Sequence, residues 1–325
     1  MKILLVTLLS SLVISTAQTG QWPLPELSPG PGAGTSADPA TYPDAARFNK
    51  RRDLLIRALA SDDLSKWRKG YFTGGDPGKY LPGPAMARLL LDPDDTEARK
   101  YMNDERSPKE HYHFAAVNWA RFLPLFGAAL SDETKQRLSG EASNFGAYLN
   151  PGGTENHKIM NLTAAVVLFG YLDSGRIAFK ERDPALADAK EKLRGYVKGL
   201  YAAGQGEWDS PTYIMFDLHG MLNIYDFSKD PEMRLIAAAA LDWYAAAYAL
   251  KYRSGIYTGP NQRGYYDEAF SSIADQTGWL WWGGDAKPEK AREFYFAIHP
   301  ATSSWRPNAV LTRIAQKELP GLPVT

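Results

Sequence analysis

Gly152-Gly153-Thr154-Glu155-Asn156-His157-Lys158-Ile159-Met160 runs without a break into the apolar stretch Asn161 to Gly170, and the rest of the chain is read outward from it. The two glycines give a flexible approach and Thr154 is a good N-cap. Ile159, Met160, Leu162, Ala165, Val166 and Phe169 recur at helical spacing, so the sequence predicts a helix from Thr154. Glu155, Asn156 and His157 then ring the positive end of the helix dipole, where free N–H groups favour an anion and a histidine pKa is pushed down. That end suits a substrate carboxylate. The same residues would also serve an ordinary helix start by satisfying backbone donors.

Helix follows helix on either side. Segments 85–103, 110–129, 132–149, 154–172, 184–203, 211–227, 231–252, 267–282, 288–297 and 307–318 carry the pattern, with no convincing strand alternation. The helix after Asp230 is typical: Asp230 caps, Pro231 fills the first turn and Glu232 suits the dipole. Its Asp242 and Tyr244 mark a buried helix of a large fold, not a membrane span. Helix starts behind polar, Gly- or Pro-bearing loops fall near Ser107, Thr154, Ser210 and Gly259, at intervals of 47, 56 and 49 residues. That interval is the length of an antiparallel helix pair. The predicted fold is therefore all-α, an incomplete (α/α) toroid of helical hairpins over residues 44–325. Its inner helices would deliver their first turns to one shared cleft.

Upstream, Met1-Lys2 and the apolar run Ile3 to Ile14, with Ser15 and Ala17 as small residues, read as a signal peptide over 1–17. Cleavage near Ala17 would release a secreted or periplasmic protein. Residues 18–43 form a Pro/Gly-rich arm. The absence of cysteine excludes a disulfide framework and a lipid-modified cysteine. Balanced charge, 37 basic against 37 acidic residues, gives no global field to recruit nucleic acid or an acidic membrane. Nine Trp and 18 Tyr suit either stacking on sugar rings or a large helical core. Arg47, Lys50, Arg51 and Arg52 read as a solvated helix face. The Gly/Pro/aromatic loop from Gly70 to Pro84 is long enough to wall a cleft.

Two further patches carry polar chemistry. In Gly204-Gln205-Gly206-Glu207-Trp208-Asp209-Ser210-Pro211-Thr212-Tyr213, Ser210-Pro211 starts a helix with Tyr213 on its first turn. Glu207, Trp208, Asp209 and His219 join Glu155 as candidate substrate contacts, although His219, among Phe216, Leu218, Met221 and Leu222, also reads as a core histidine. In Tyr257 to Asp267, Arg263 suits bidentate carboxylate binding, Tyr265 and Tyr266 offer phenols, and Asn261 and Gln262 suit sugar hydroxyls. His111 and His113, two apart on a helix, do not face one another, and neither a metal nor another cofactor is expected. Eliminative cleavage of a uronate polysaccharide needs the carboxylate neutralised, the C5 proton removed and the leaving O4 protonated. Asn156, His157 and Arg263 suit the first task; a Tyr or a neutral His suits the others.

The Asn156-His157 pair opening a helix, a Tyr-bearing helix about 50 residues later and a following Arg/Tyr loop resemble the (α/α)-toroid polysaccharide lyases that act on alginate, glucuronan and heparin-type substrates. The resemblance implies that Asn156 and His157 neutralise or deprotonate the uronate of an anionic polysaccharide, and that Tyr213 or Tyr266 completes the acid–base work. Glu155 departs from many relatives, which carry an amide or neutral residue there. Residues up to Thr325 contain no β-sandwich segment such as the longer heparinase-type enzymes have, in keeping with a compact single-domain lyase or a truncated chain. Two other readings stay open. One is an inverting toroid glycoside hydrolase using Glu155, Glu207 and Asp209. The other is a non-catalytic glycan-binding protein stacking sugars on Trp208, Tyr213 and Trp279 to Trp282.

Overall fold

Helix ends fall where local capping chemistry puts them. Asp230 accepts from the N–H groups of Glu232 (2.9 Å) and Met233 (3.4 Å), with Pro231 in the first turn. Ser272 and Asp275 form a reciprocal capping box, and Asn308 accepts from Leu311 N–H at 3.0 Å. Asp92-Pro93 splits the single helix expected over 85–103 in two. Asp92 there accepts from Asp94 N–H and Asp95 from Ala98 N–H, satisfying the donors that a continuous helix would have used internally.

The computed structural model describes residues 44–68, 77–104, 112–142, 152–171, 182–259, 272–284 and 297–319. The leader, the arm, the loop at 70–76, most of the Arg263 patch and the segment 288–296 lie outside them. Among the described residues the chain is all-α, with helices α1 (Ala45–Ala60), α2 (Leu64–Arg68), α3 (Pro77–Tyr80), α4 (Pro82–Leu91), α5 (Thr96–Asp104), α6 (His113–Phe126) and α7 (Asp132–Ala142), then α8 (Glu155–Tyr171), α9 (Arg182–Ala203), α10 (Tyr213–Phe227), α11 (Pro231–Lys251), α12 (Ile273–Trp282), α13 (Ile298–Thr302) and α14 (Ala309–Ala315). One small hairpin, β1 (Tyr252–Arg253) with β2 (Ile256–Tyr257), interrupts them. Its strands are too short for any alternation to register. Its turn uses positive φ at Ser254 (48°) and Gly255 (103°), the geometry that two-residue hairpins favour.

Helices α8 and α10 are buried nearly all round, as central helices are. They approach so closely that a Cβ on Gly220 would collide with Thr163 Oγ1. Thr163 turns its hydroxyl back onto the Ile159 and Met160 carbonyls, so the Asn161-Leu162-Thr163 sequon is sealed in this interface. Neighbouring contacts then run α1 to α4, α4 to α6, α6 to α8, α8 to α10, α10 to α12, and α12 back to α1. α6 also touches α10 directly, and α13 packs on α1, α4 and α10. Around these helices, α5 packs on α4, α7 and α9 on α8, α11 on α9 and α10, and α14 on α11 and α12.

The packing corrects two expectations. Arg51 and Arg52 are not part of a solvated face: they are 9% and 3% exposed. Arg51 donates to the carbonyls of Leu280 (2.9 Å) and Trp281 (3.0 Å) and pairs with Asp44, so a side chain of α1 satisfies the orphan C-terminal carbonyls of α12. Trp279, Trp281 and Trp282 are core residues, and their rings are not available to stack on a sugar.

The first turns of α6, α8, α10 and α12 gather at one end. His113 and His157, at the starts of α6 and α8, stack on one another. The start of α8 is bonded to the loop before α10, and Ala274 N–H of α12 donates to Pro211 O at the approach to α10 (3.1 Å).

Candidate functional site

The site grows from the glycine approach to α8. Gly153 has φ 99°, open to glycine at little cost, and a Cβ there would collide with His157 Nδ1. The imidazole can therefore lie back over the chain that leads into its own helix. It meets His113 in a stack with centroids 3.7 Å apart and planes 23° apart. Lys79, from α3, holds its Nζ 4.1 Å from the Phe114 centroid and 5.3 Å from that of Phe216. Phe114 and Phe216 pack edge to face at 4.6 Å, and Phe114 also lies edge-on to His157. Three nitrogen bases thus share one aromatic-walled corner.

Their charges are unequal. Burial first, then the neighbouring charges of His157 and Lys79, lower the His113 pKa to about 3. His113 is therefore neutral near pH 7, with the positive charge of Lys79 beside it. Tyr213 begins α10, its N–H donating to Ser210 Oγ at 3.1 Å, one turn ahead of Phe216.

Behind this corner, the start of α8 is clamped to the loop before α10. Glu207 accepts from the Asn156 N–H (3.0 Å) and from its side-chain amide, while Glu155 accepts from the Glu207 N–H at 2.6 Å. It is a capping box made between segments about 50 residues apart. The remaining Asn156 amide proton goes to Thr154 Oγ1 (2.8 Å), and the residue is fully buried. In this structure Asn156 holds the loop and has no proton left to neutralise a carboxylate, the task the sequence suggested for it. Gln205 donates to Asp217 at 3.0 Å, and burial, followed by the charges of Glu155 and Glu207, raises the Asp217 pKa far above the carboxylate range.

The other candidates fall as follows. Asp209 is ion-paired to Lys251 and accepts from Tyr257 Oη at 3.2 Å, so it is fully engaged. Trp208 is 45% exposed. His219 is the core histidine, 2% exposed and stacked on His299 at 4.1 Å. Asn261, Gln262, Arg263, Tyr265 and Tyr266 lie outside the described residues. The sequence reading missed Lys79 and His113. Lys79 sits in the loop already suspected of walling a cleft, whereas His113 was weighed only as a metal ligand beside His111. Among the described residues, no group of three or more His, Cys, Asp or Glu side chains is arranged to hold a metal ion.

No protein-family model, curated protein or solved structure matches the chain.

A lysine, an imidazole of lowered pKa and a second imidazole at the start of α8 make a corner suited to binding an anion and moving a proton beside it.

Proposed function

We propose that the chain is a polysaccharide lyase cleaving a uronate-containing polysaccharide by β-elimination, on an (α/α) toroid whose inner ring is α1, α4, α6, α8, α10 and α12. The succession of contacts from α1 through α4, α6, α8, α10 and α12 back to α1 supports the toroid. The observation that carries the activity is the meeting of Lys79, His113 and His157 against Phe114 and Phe216 where the first turns gather.

In this reading Lys79 and the dipole of α8 pair with the substrate carboxylate, which acidifies the C5 proton. His157 takes that proton. The electron pair left on C5 forms the C4–C5 double bond as the C4–O4 bond breaks, and Tyr213 protonates the departing O4. His113, held neutral, supports the ring of His157 without adding a charge that would compete for the carboxylate. Asn156, Glu155 and Glu207 position the start of α8 through their clamp.

The hydrolase reading has less support, because Glu155, Glu207 and Asp209 are all engaged in hydrogen bonds or an ion pair that hold loops together. The test is incubation of the purified protein with alginate, polyglucuronate and neutral glucans, followed by ultraviolet absorbance and reducing-end assay. Unsaturated ends from a uronate polymer are expected. New reducing ends without absorbance, or new ends from neutral glucans alone, would refute the lyase.

A further inference from the structure

The turn Glu207-Trp208-Asp209-Ser210 holds an indole in solvent by means that its surroundings do not require. Ser210 N–H donates to Glu207 O at 3.1 Å, closing a turn around Trp208 and Asp209. Asp209 sits at φ 52°, a left-handed conformation that glycine or asparagine adopts at lower cost. The side chain of Asp209 gives the reason for the strain. Its carboxylate, 5% exposed, takes an ion pair from Lys251 at the end of α11 and a hydrogen bond from Tyr257. Lys251 in turn places its Nζ 4.3 Å from the Trp208 ring centroid. On the other flank, Glu207 is pinned to the first turn of α8. Trp208 is thus anchored on both sides and backed by a cation, yet remains 45% exposed. Trp279, Trp281, Trp282 and Trp305 are all buried.

We propose that Trp208 is a fixed stacking platform for a pyranose ring of the polysaccharide, a subsite beside the His157 corner. This rests on the lyase reading for the identity of the chain that is bound. The electron-rich indole face attracts the polarised C–H bonds on the flat face of a sugar ring. Lys251 lies over the indole and Asp209 fixes that lysine, so the ring does not have to be ordered when the sugar arrives. The platform is tied to the start of α8: Trp208 follows Glu207, which accepts a hydrogen bond from Asn156 N–H, and Asn156 precedes His157.

The test is affinity gel electrophoresis of wild type, Trp208→Ala and Trp208→Phe in gels containing alginate, polyglucuronate or a neutral glucan, read beside the unsaturated-end assay. Wild type is expected to be retarded by the uronate polymer that it cleaves. Trp208→Ala should lose about tenfold in affinity with an unchanged melting temperature, and Trp208→Phe should recover part of that loss. Equal retardation of wild type and Trp208→Ala would overturn the platform even if cleavage is intact, leaving the lyase reading in place. Retardation lost in Trp208→Ala without unsaturated ends from any polymer would uphold the platform and sink the lyase. A wild type that no polymer retards, or whose Trp208→Ala variant differs only in self-association, would overturn the platform.

Discussion

Among the described residues two histidine pairs stack, and they differ in what surrounds them. His113 and His157 lie 3.7 Å apart at the gathered helix starts, partly exposed, with Lys79 nearby. His219 and His299 stack at 4.1 Å with nearly parallel planes, 7° apart, in the core. Phe216 touches both groups, packing on Phe114 and lying 6.0 Å from His219. The inner pair also has a cation close by, Arg121, but that guanidinium is paired with Asp226 at 2.8 Å and bonded to Asn223 and Thr302. Stacked imidazoles therefore do not mark a site by themselves. What separates the pairs is partial exposure to solvent and the lysine of α3 beside the outer pair.

The sharpest way to break this comparison is His157→Ala. It is expected to cut kcat by about a thousandfold, or about 4 kcal/mol of barrier, with little change in melting temperature. Near-full cleavage by this variant would erase the distinction between the pairs. His299→Ala should do the reverse, destabilising the fold by about 3 kcal/mol and lowering the melting temperature by roughly 5–10 °C in thermal denaturation. The folded protein that remains should cleave at close to the normal rate. Lys79→Gln is expected to lower kcat/KM on the uronate polymer about thirtyfold, close to 2 kcal/mol, with the circular dichroism spectrum unchanged. An equal loss on a neutral substrate would show that the lysine is structural.

The smallest effect is read from pH. Burial, then the charges of His219 and Arg121, hold the His299 pKa well below its ordinary 6.5. As pH falls below about 6.5 the unfolded chain takes up a proton that folded His299 refuses, so stability present above that pH is lost on acidification. His299→Leu should flatten the acid limb of a melting-temperature profile between about pH 6.5 and 4, where the loss per group is on the order of 1 kcal/mol per pH unit. An acid limb as steep as that of wild type would mean that the buried pair is not what resists protonation.

Much of the scaffold was legible because it is written in local chemistry. Thr154 and Asp230 announce helix starts within a residue of where α8 and α11 begin, and Ser210 falls three residues before α10, whereas the start expected near Gly259 lies 14 residues before α12, which begins at Ile273. The site was legible only in part, since its decisive contacts join distant segments. Nothing near Asn156 says that its amide will be taken by Glu207, 51 residues away. Nothing near Lys79 says that its ammonium will rest on Phe114 and Phe216. Trp281 and Trp282 are as good as sugar platforms by residue type, and only the packing of α12 against α1 and α10 shows that they are core. Asp209 was weighed as an acid, and its positive φ and its lysine partner are both tertiary facts.

Arg51 has a kinetic consequence. Its acceptors on α12 lie 229 and 230 residues further along the chain. At ribosomal rates of about 5–20 residues per second, roughly 10 to 50 s pass between the making of this arginine and the making of its partners. Non-local closures of this kind are slow to fold as well as late to become possible.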